Sequence, residues 1–289
     1  MSQPHFDYFS QNTLFVCVLY KTSFQESKSF LSLIQILKDS TYTYDFFIYD
    51  NSPESTDDFR IRSFKNINIY YTHDQTNSGV SKAYNEGSKL AAKLKKRWIL
   101  IIDQDTIFPV KILESYYKSI IAYPEIQLFT PKLTYNKMVL SPCKYVFCRG
   151  QAILQISDGI HSFKGLSVLN SGILVSVKDF EEAGGYNEKI KLDFADFYFI
   201  DHFKKMNQYF VVIDAICHHD LSSNENDFEK VSNRFKFYCN GAKFYAHNFL
   251  SFMNLLFLCF FRATKLTVKF KRLTFYKSLF KYYIGHSIV

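Results

Sequence analysis

Asp103 and Asp105 stand two residues apart, directly after the apolar run 98–102. A tight loop there brings both carboxylates to one hard divalent cation, above all when a substrate diphosphate supplies further oxygens. The same pair in a solvated turn would only end a strand. Asp50, Asn51 and Ser52 close another apolar run, 45–49. Asn77, Ser78 and Gly79 lead into 81–95, a stretch rich in Ala, Lys and Leu. Backbone N–H groups at such a helix start meet an anion, or Asn77 or Ser78 simply caps the helix. Asp193 and Asp196 have the i,i+3 spacing that puts both carboxylates on neighbouring helix surface. Their crowding raises the pKa of one, which suits a general base near neutral pH. Asp193 is also placed to cap the helix. His218 and His219 follow the apolar run 209–213.

The elements that must position these residues are legible from periodicity. Residues 14–20, 45–49, 67–71 and 98–102 read as strands, and 29–37 and 81–95 as helices. That order predicts an α/β fold with a mostly parallel central sheet. Such sheets bind ligands outside the carboxyl ends of their strands. Tyr20-Lys21, Asp50-Asn51-Ser52 and Asp103-Gln104-Asp105 all fall there. The middle, 123–167, alternates short apolar stretches with Pro and Gly and predicts antiparallel strands and loops. Residues 169–177 read as a strand containing Ser171 and Gly172. A short helix at 178–183 is stopped by Gly184-Gly185, and 193–206 reads as a further helix.

Charge divides the chain. Its 289 residues carry 35 Lys and Arg against 27 Asp and Glu, a net +8. From Lys230 onward there are eleven Lys and Arg and no acidic residue, which leaves 24 basic and 27 acidic residues, a net −3, in the first 229. That asymmetry argues against a general nucleic-acid binder. It predicts a catalytic domain at 1–229 and a basic, aromatic, helical extension at 230–289. The apolar run 244–261 is broken by His247, Asn248, Ser251 and Asn254. An interfacial or packed helix is therefore expected rather than a spanning one. Basic residues interleaved with Phe and Tyr suit an anionic membrane surface, and a hairpin packed on the domain is the alternative. The first twelve residues show neither a basic nor an apolar signal region, and the six cysteines form no CxxC pair. A cytoplasmic protein with reduced thiols is expected, docked on the inner face of the cell membrane.

Taken in order, Tyr20, Asp50-Asn51-Ser52, Asn77-x-Gly79-x-x-x-Ala83-x-Asn85-x-Gly87 and Asp103-Gln104-Asp105-Thr106 resemble glycosyltransferase family 2. The Asp-Gln-Asp-Thr form resembles its rhamnosyltransferase-like branch. The likeness continues through Asn170-Ser171-Gly172, Gly184-Gly185-Tyr186-Asn187-Glu188, Asp193 to Asp196 and His218-His219. It spans about residues 14–221, with a donor half at 14–110 and an acceptor half at 111–229.

The resemblance implies a GT-A fold and an inverting transfer from a UDP- or dTDP-sugar to a glycan or lipid-linked acceptor, as in surface polysaccharide synthesis. It implies that Tyr20, Asp50, Asn51, Asn77, Gly79, Asn85 and Asp103 bind the donor nucleotide. Asp103, Asp105 and His219 would hold Mg²⁺ or Mn²⁺, and Asp196 would be the general base. His219 fits the register better than His218, because Asp220-Leu221-Ser222 then matches the segment after the family histidine. Asp193, Ser171 and Gly172 would line the acceptor side. Lys21, Tyr198 and His202 depart from the branch pattern and leave a non-catalytic scaffold as one alternative. A sugar-nucleotide nucleotidylyltransferase is another, against which residues 16–24 lack glycine. A homodimer is compatible with the aromatic extension.

Overall fold

A computed structural model describes residues 4–38, 40–55, 66–219 and 226–285. The first half alternates strand and helix as expected. Helix α1 (Pro4–Asn12) leads into β1 (Thr13–Leu19), α2 (Lys28–Leu37), β2 (Tyr44–Asp50), β3 (Ile67–His73), α3 (Val80–Lys93) and β4 (Trp98–Asp103). These four strands lie side by side in the order β3-β2-β1-β4, all parallel. Every residue of β1 is buried, as befits a central strand covered on both faces.

The pleat sends alternate side chains to two cores. Leu14, Val16 and Val18 join one with α3 and the later helices, while Phe15, Cys17 and Leu19 join the other with α1 and α2. The result is a three-layer α/β sandwich.

The register decides where the chemistry sits. Asp50 is the partner of Leu19, and Asp103 is the partner of Val18. Strands lie about 4.8 Å apart, so these aspartates flank the end of β1 with backbones about 10 Å apart.

A second half extends the sheet beyond β4. It contains β5 (Thr106–Ile107), α4 (Ile112–Ala122), β6 (Leu128–Tyr135), β7 (Met138–Val146), β8 (Arg149–Ile153), β9 (Gly159–Ser162), β10 (Leu166–Ser167) and β11 (Leu174–Ser176). Helices α5 (Val177–Glu182) and α6 (Ala195–Phe203) and strand β12 (Tyr209–His219) complete it. Antiparallel β11 joins β4 to β6, and β12 runs parallel to β6.

Two sequence expectations are corrected. Ser171 and Gly172 precede β11 instead of lying within a strand. Gly172 has φ +83°, and a Cβ there would sit 2.7 Å from Pro131. Helix α6 starts at Ala195, because Phe194 is left-handed at φ +75°. Helix α4 was not anticipated, although its Ile112, Leu113, Tyr116 and Ile120 form a helical stripe into the core.

The C-terminal helices are α7 (Phe228–Tyr245), α8 (Phe249–Phe270) and α9 (Thr274–Leu279), followed by a π-turn at Phe280–Ile284. Phe235, Cys239, Tyr245, Leu255, Cys259 and Phe275 share one core with Phe194 and Phe199. The extension is thus packed on the sandwich. All six cysteines are free, and all but Cys148 are buried.

Candidate active site at the carboxyl ends of the strands

Asp50 is fully buried at the end of β2. Its carboxylate accepts from the Ser52 N–H (2.9 Å) and the Tyr71 hydroxyl (2.9 Å). Ser52 Oγ accepts from the Lys21 N–H at 2.7 Å, so the loop after β1 is fastened to the loop after β2. The Tyr20 ring stands exposed at this edge. Gln104 clamps the same loop, its Oε1 taking the Tyr20 N–H at 2.8 Å and its amide donating to Thr22 Oγ1 at 3.3 Å. The middle residue of Asp103-Gln104-Asp105 therefore locks β1 to β4.

Asp103 accepts from the Tyr84 hydroxyl at 2.7 Å. Its N–H donates to Ser171 Oγ at 3.2 Å, and that hydroxyl also meets Thr106 Oγ1 at 2.7 Å. Thr106 Oγ1 in turn lies 3.0 Å from His219 Nδ1, which is 3.3 Å from Asp105 Oδ1. A continuous polar chain thus runs from Asp103 through Ser171, Thr106 and His219 to Asp105. The pairing of β12 with β5, His219 opposite Thr106, brings the histidine there. His218 faces the other way, with Nδ1 3.1 Å from Thr134 Oγ1. The structure therefore separates the two histidines by their partners, while Asp220-Leu221-Ser222 lie outside the described residues.

Among the described residues, no three His, Cys, Asp or Glu side chains converge as a metal cluster. Of the expected set, Asp105 and His219 are in contact, and Asp103 is joined to them through Ser171 and Thr106. A Mg²⁺ or Mn²⁺ ion takes about six ligands, mostly oxygens. The pair fits such an ion only if a bound diphosphate supplies the remaining oxygens.

Asp196 opens the first turn of α6. Burial pushes its carboxyl up to about 7, against 3.8 for an ordinary aspartate. The hydrogen bond from the Phe197 N–H (2.8 Å) opposes the rise, and the charges of Asp193 and Asp103 add to it. Asp103 and Asp196 both act on Tyr186, whose hydroxyl donates to Asn170 Oδ1 at 2.7 Å. Asp103, Asp196 and Tyr186 therefore share one electrostatic environment.

The left-handed Phe194 swings the chain into this position. An aromatic residue at positive φ is uncommon and needs compensating contacts. Phe194 has them in Tyr238 and Tyr245, at ring distances of 4.9 and 5.7 Å.

Other expected residues hold the site together. Asn85 binds the Tyr186 carbonyl (3.0 Å), the Tyr186 N–H (2.9 Å) and Glu188 (3.0 Å), tying α3 to the Gly184-Gly185 turn. Gly79 begins α3 at φ +94°, where a Cβ would collide with the Lys191 carbonyl. The Val80 N–H donates to that carbonyl at 2.9 Å, and the Gly79 N–H reaches Asn51 Oδ1 at 3.4 Å. One first-turn N–H of α3 is thus taken by the chain's own backbone. Asn77, left-handed at φ +50°, lies in a loop organised by Asp74, which accepts from Thr76 and Ser78. Neither Asn77 nor Ser78 caps the helix, since Gly79 is the N-cap. Asp193 faces Arg234 at 3.7 Å and packs against Gly241.

Sequence reasoning passed over Tyr71, Tyr84 and Tyr186. Tyr84 sits between Ala83 and Asn85 and Tyr186 follows Gly185, inside motifs already singled out. Tyr71 had no local signal, because only the β2–β3 register brings it to Asp50. A depression lined by Lys96, Arg97, Glu125 and Glu181 lies at the opposite edge, where β4 begins. It has no part in this constellation.

No protein-family model matches the sequence, and no curated protein matches it. Solved structures do. S. aureus TarS residues 1–349 in complex with UDP-GlcNAc matches at TM-score 0.55 and 12% identity, over 93% of this chain and 78% of that one. The same protein in complex with UDP matches at TM-score 0.53 and 12% identity, over 86% of this chain and 71% of that one. The chain therefore has a GT-A-like α/β fold, the fold of S. aureus TarS.

Proposed function

We propose that this chain is an inverting, metal-dependent glycosyltransferase that moves a sugar from a UDP- or dTDP-sugar to a glycan acceptor. The observation that carries the proposal is the convergence of Asp50, Asp103, Asp105 with His219, and Asp196 at one sheet edge. The fold shared with TarS, which binds UDP and UDP-GlcNAc, supports it.

Asp50 accepts an N–H of the nucleobase. Asp103 faces the ribose, fixed by Tyr84 and Ser171. Asp105 and His219 would hold Mg²⁺ or Mn²⁺ together with the donor diphosphate, and such an ion would offset negative charge on the nucleoside diphosphate. Asp196 takes the proton of the acceptor hydroxyl. The acceptor oxygen forms the new bond at the anomeric carbon. The bond from that carbon to the diphosphate oxygen breaks, and its electron pair leaves with the phosphate. A base near pH 7 is half deprotonated at neutrality, which suits this step. The Asp103-Gln104-Asp105-Thr106 sequence favours the rhamnosyltransferase-like branch, and hence a hexose or deoxyhexose. A lipid-linked glycan of surface polysaccharide synthesis fits as acceptor.

The test is release of nucleoside diphosphate from a panel of UDP- and dTDP-sugars with and without Mn²⁺, read by mass spectrometry. Metal-dependent release from one donor, reduced in Asp196→Asn, is expected. Equal release by the wild type and Asp196→Asn would remove the base assignment. Nucleotide binding with no release from any donor would favour a non-catalytic scaffold.

A further inference from the structure

Helix α8 has two unlike faces. Ser251, Leu255, Cys259 and Ala263 recur every four residues and are buried. Opposite them stand Phe249, Leu250, Phe257, Phe261 and Val268, each between 62% and 80% exposed. A soluble monomer rarely leaves so large an apolar stripe open. Past it, Lys265, Lys271, Lys277 and Lys281 are exposed, interleaved with the exposed Leu273 and Phe280. From Lys230 onward the chain has eleven basic residues and no acidic one.

We propose that the outward face of α8, with the turn into α9, is a docking surface for an anionic lipid bilayer, and that α8 lies in the plane of the interface. Three observations select this occupant. First, charge: every Asp, Glu, Lys or Arg position from Lys230 onward is a cation, so an apolar stripe followed by exposed lysines complements acidic headgroups above acyl chains. A second copy of the chain would bring like charges together on the same face. Second, packing: α8 is long and apolar enough to cross a membrane by length and composition. Yet its inner face is embedded in the core, and the Tyr283 hydroxyl donates to the Phe252 carbonyl at 2.6 Å. Crossing would strip those contacts, whereas lying flat keeps them. Third, the start of α8 is fixed by a reciprocal capping box between Asn248 and Ser251, so the helix and its outward face exist before any membrane is met. The surface rests on these helices alone and is independent of the catalytic reading.

The test is cosedimentation of the full chain with phosphatidylcholine vesicles, with and without phosphatidylglycerol. Each exposed lysine near an acidic surface is worth about fivefold in partitioning. Four of them imply a preference for the acidic vesicles on the order of several hundredfold, falling steeply with salt. The double variant Phe257→Ser/Phe261→Ser changes exposed positions only. It is expected to keep the wild-type circular dichroism and lose most vesicle binding. Failure of the folded wild type to bind either vesicle would overturn the proposal. So would equal binding by the double variant, or a dimer in solution that this variant dissociates.

Discussion

Replacing Asp196 with Asn separates the proposed catalytic role of this residue from its energetic one. The native carboxyl sits at about 7 and an ordinary aspartate at 3.8. The folded state thus holds this proton more tightly than the unfolded chain does. The resulting stabilisation is fully present below about pH 4 and is lost as pH rises through 7. About three pKa units at 1.36 kcal/mol each give an upper bound of about 4 kcal/mol. The side chain is only partly buried, so about 2 to 4 kcal/mol is expected at pH 8. Asn carries no charge to desolvate, and its oxygen still accepts the Phe197 N–H. At pH 8, Asp196→Asn is therefore expected to unfold roughly 3 to 7 °C above the wild type, and near pH 4 alongside it. Sugar transfer moves oppositely, falling about 10²- to 10⁴-fold in the variant. Wild-type kcat/KM is expected to rise through pH 7 as the base deprotonates. Calorimetry at the two pH values decides the matter. A difference in Tm that is the same at pH 4 and pH 8 refutes the idea that burial has shifted this carboxyl.

Two further substitutions test the supporting frame. Gly79→Ala places a Cβ against the Lys191 carbonyl at a left-handed φ, and a loss of roughly 1 to 3 kcal/mol or more is expected by chemical denaturation. Tyr71→Phe removes the hydroxyl that donates to Asp50, whose carboxylate then has one donor fewer. Nucleotide affinity measured by calorimetry is expected to weaken by about 1 kcal/mol, roughly fivefold, with little change in Tm.

The donor half was readable because its signals are local. Continuous apolar runs flag buried parallel strands, and β1, β2 and β4 lie where those runs are. The polar residues that end them, Asp50 and Asp103, became neighbours of β1 as the parallel rule requires. The acceptor half was less readable because its strands are short and tertiary contacts set their limits. Ser171 belongs to a turn only because Gly172 must accept a left-handed φ beneath Pro131. Asp196 lies at a helix start because packing around Phe194 overrides that residue's own preference. Tyr71 reaches Asp50 through strand register, which no spacing in the chain encodes. Asn85 and Gly79 carried a recognisable pattern, but their partners, Tyr186 and Lys191, are more than a hundred residues away.

The proposed donor site can be tested without knowing the acceptor. Thermal unfolding is measured with UDP, dTDP, GDP and CMP, each with and without Mn²⁺. At one hundred times its Kd, a ligand stabilises the fold by about 2.7 kcal/mol, a shift of several degrees. One nucleoside diphosphate is expected to raise Tm in a Mn²⁺-dependent way. That rise is expected to vanish in Asp105→Ala and persist in Asp196→Asn. No shift with any nucleotide in a folded sample, or an unchanged shift in Asp105→Ala, contradicts a donor site at the strand ends.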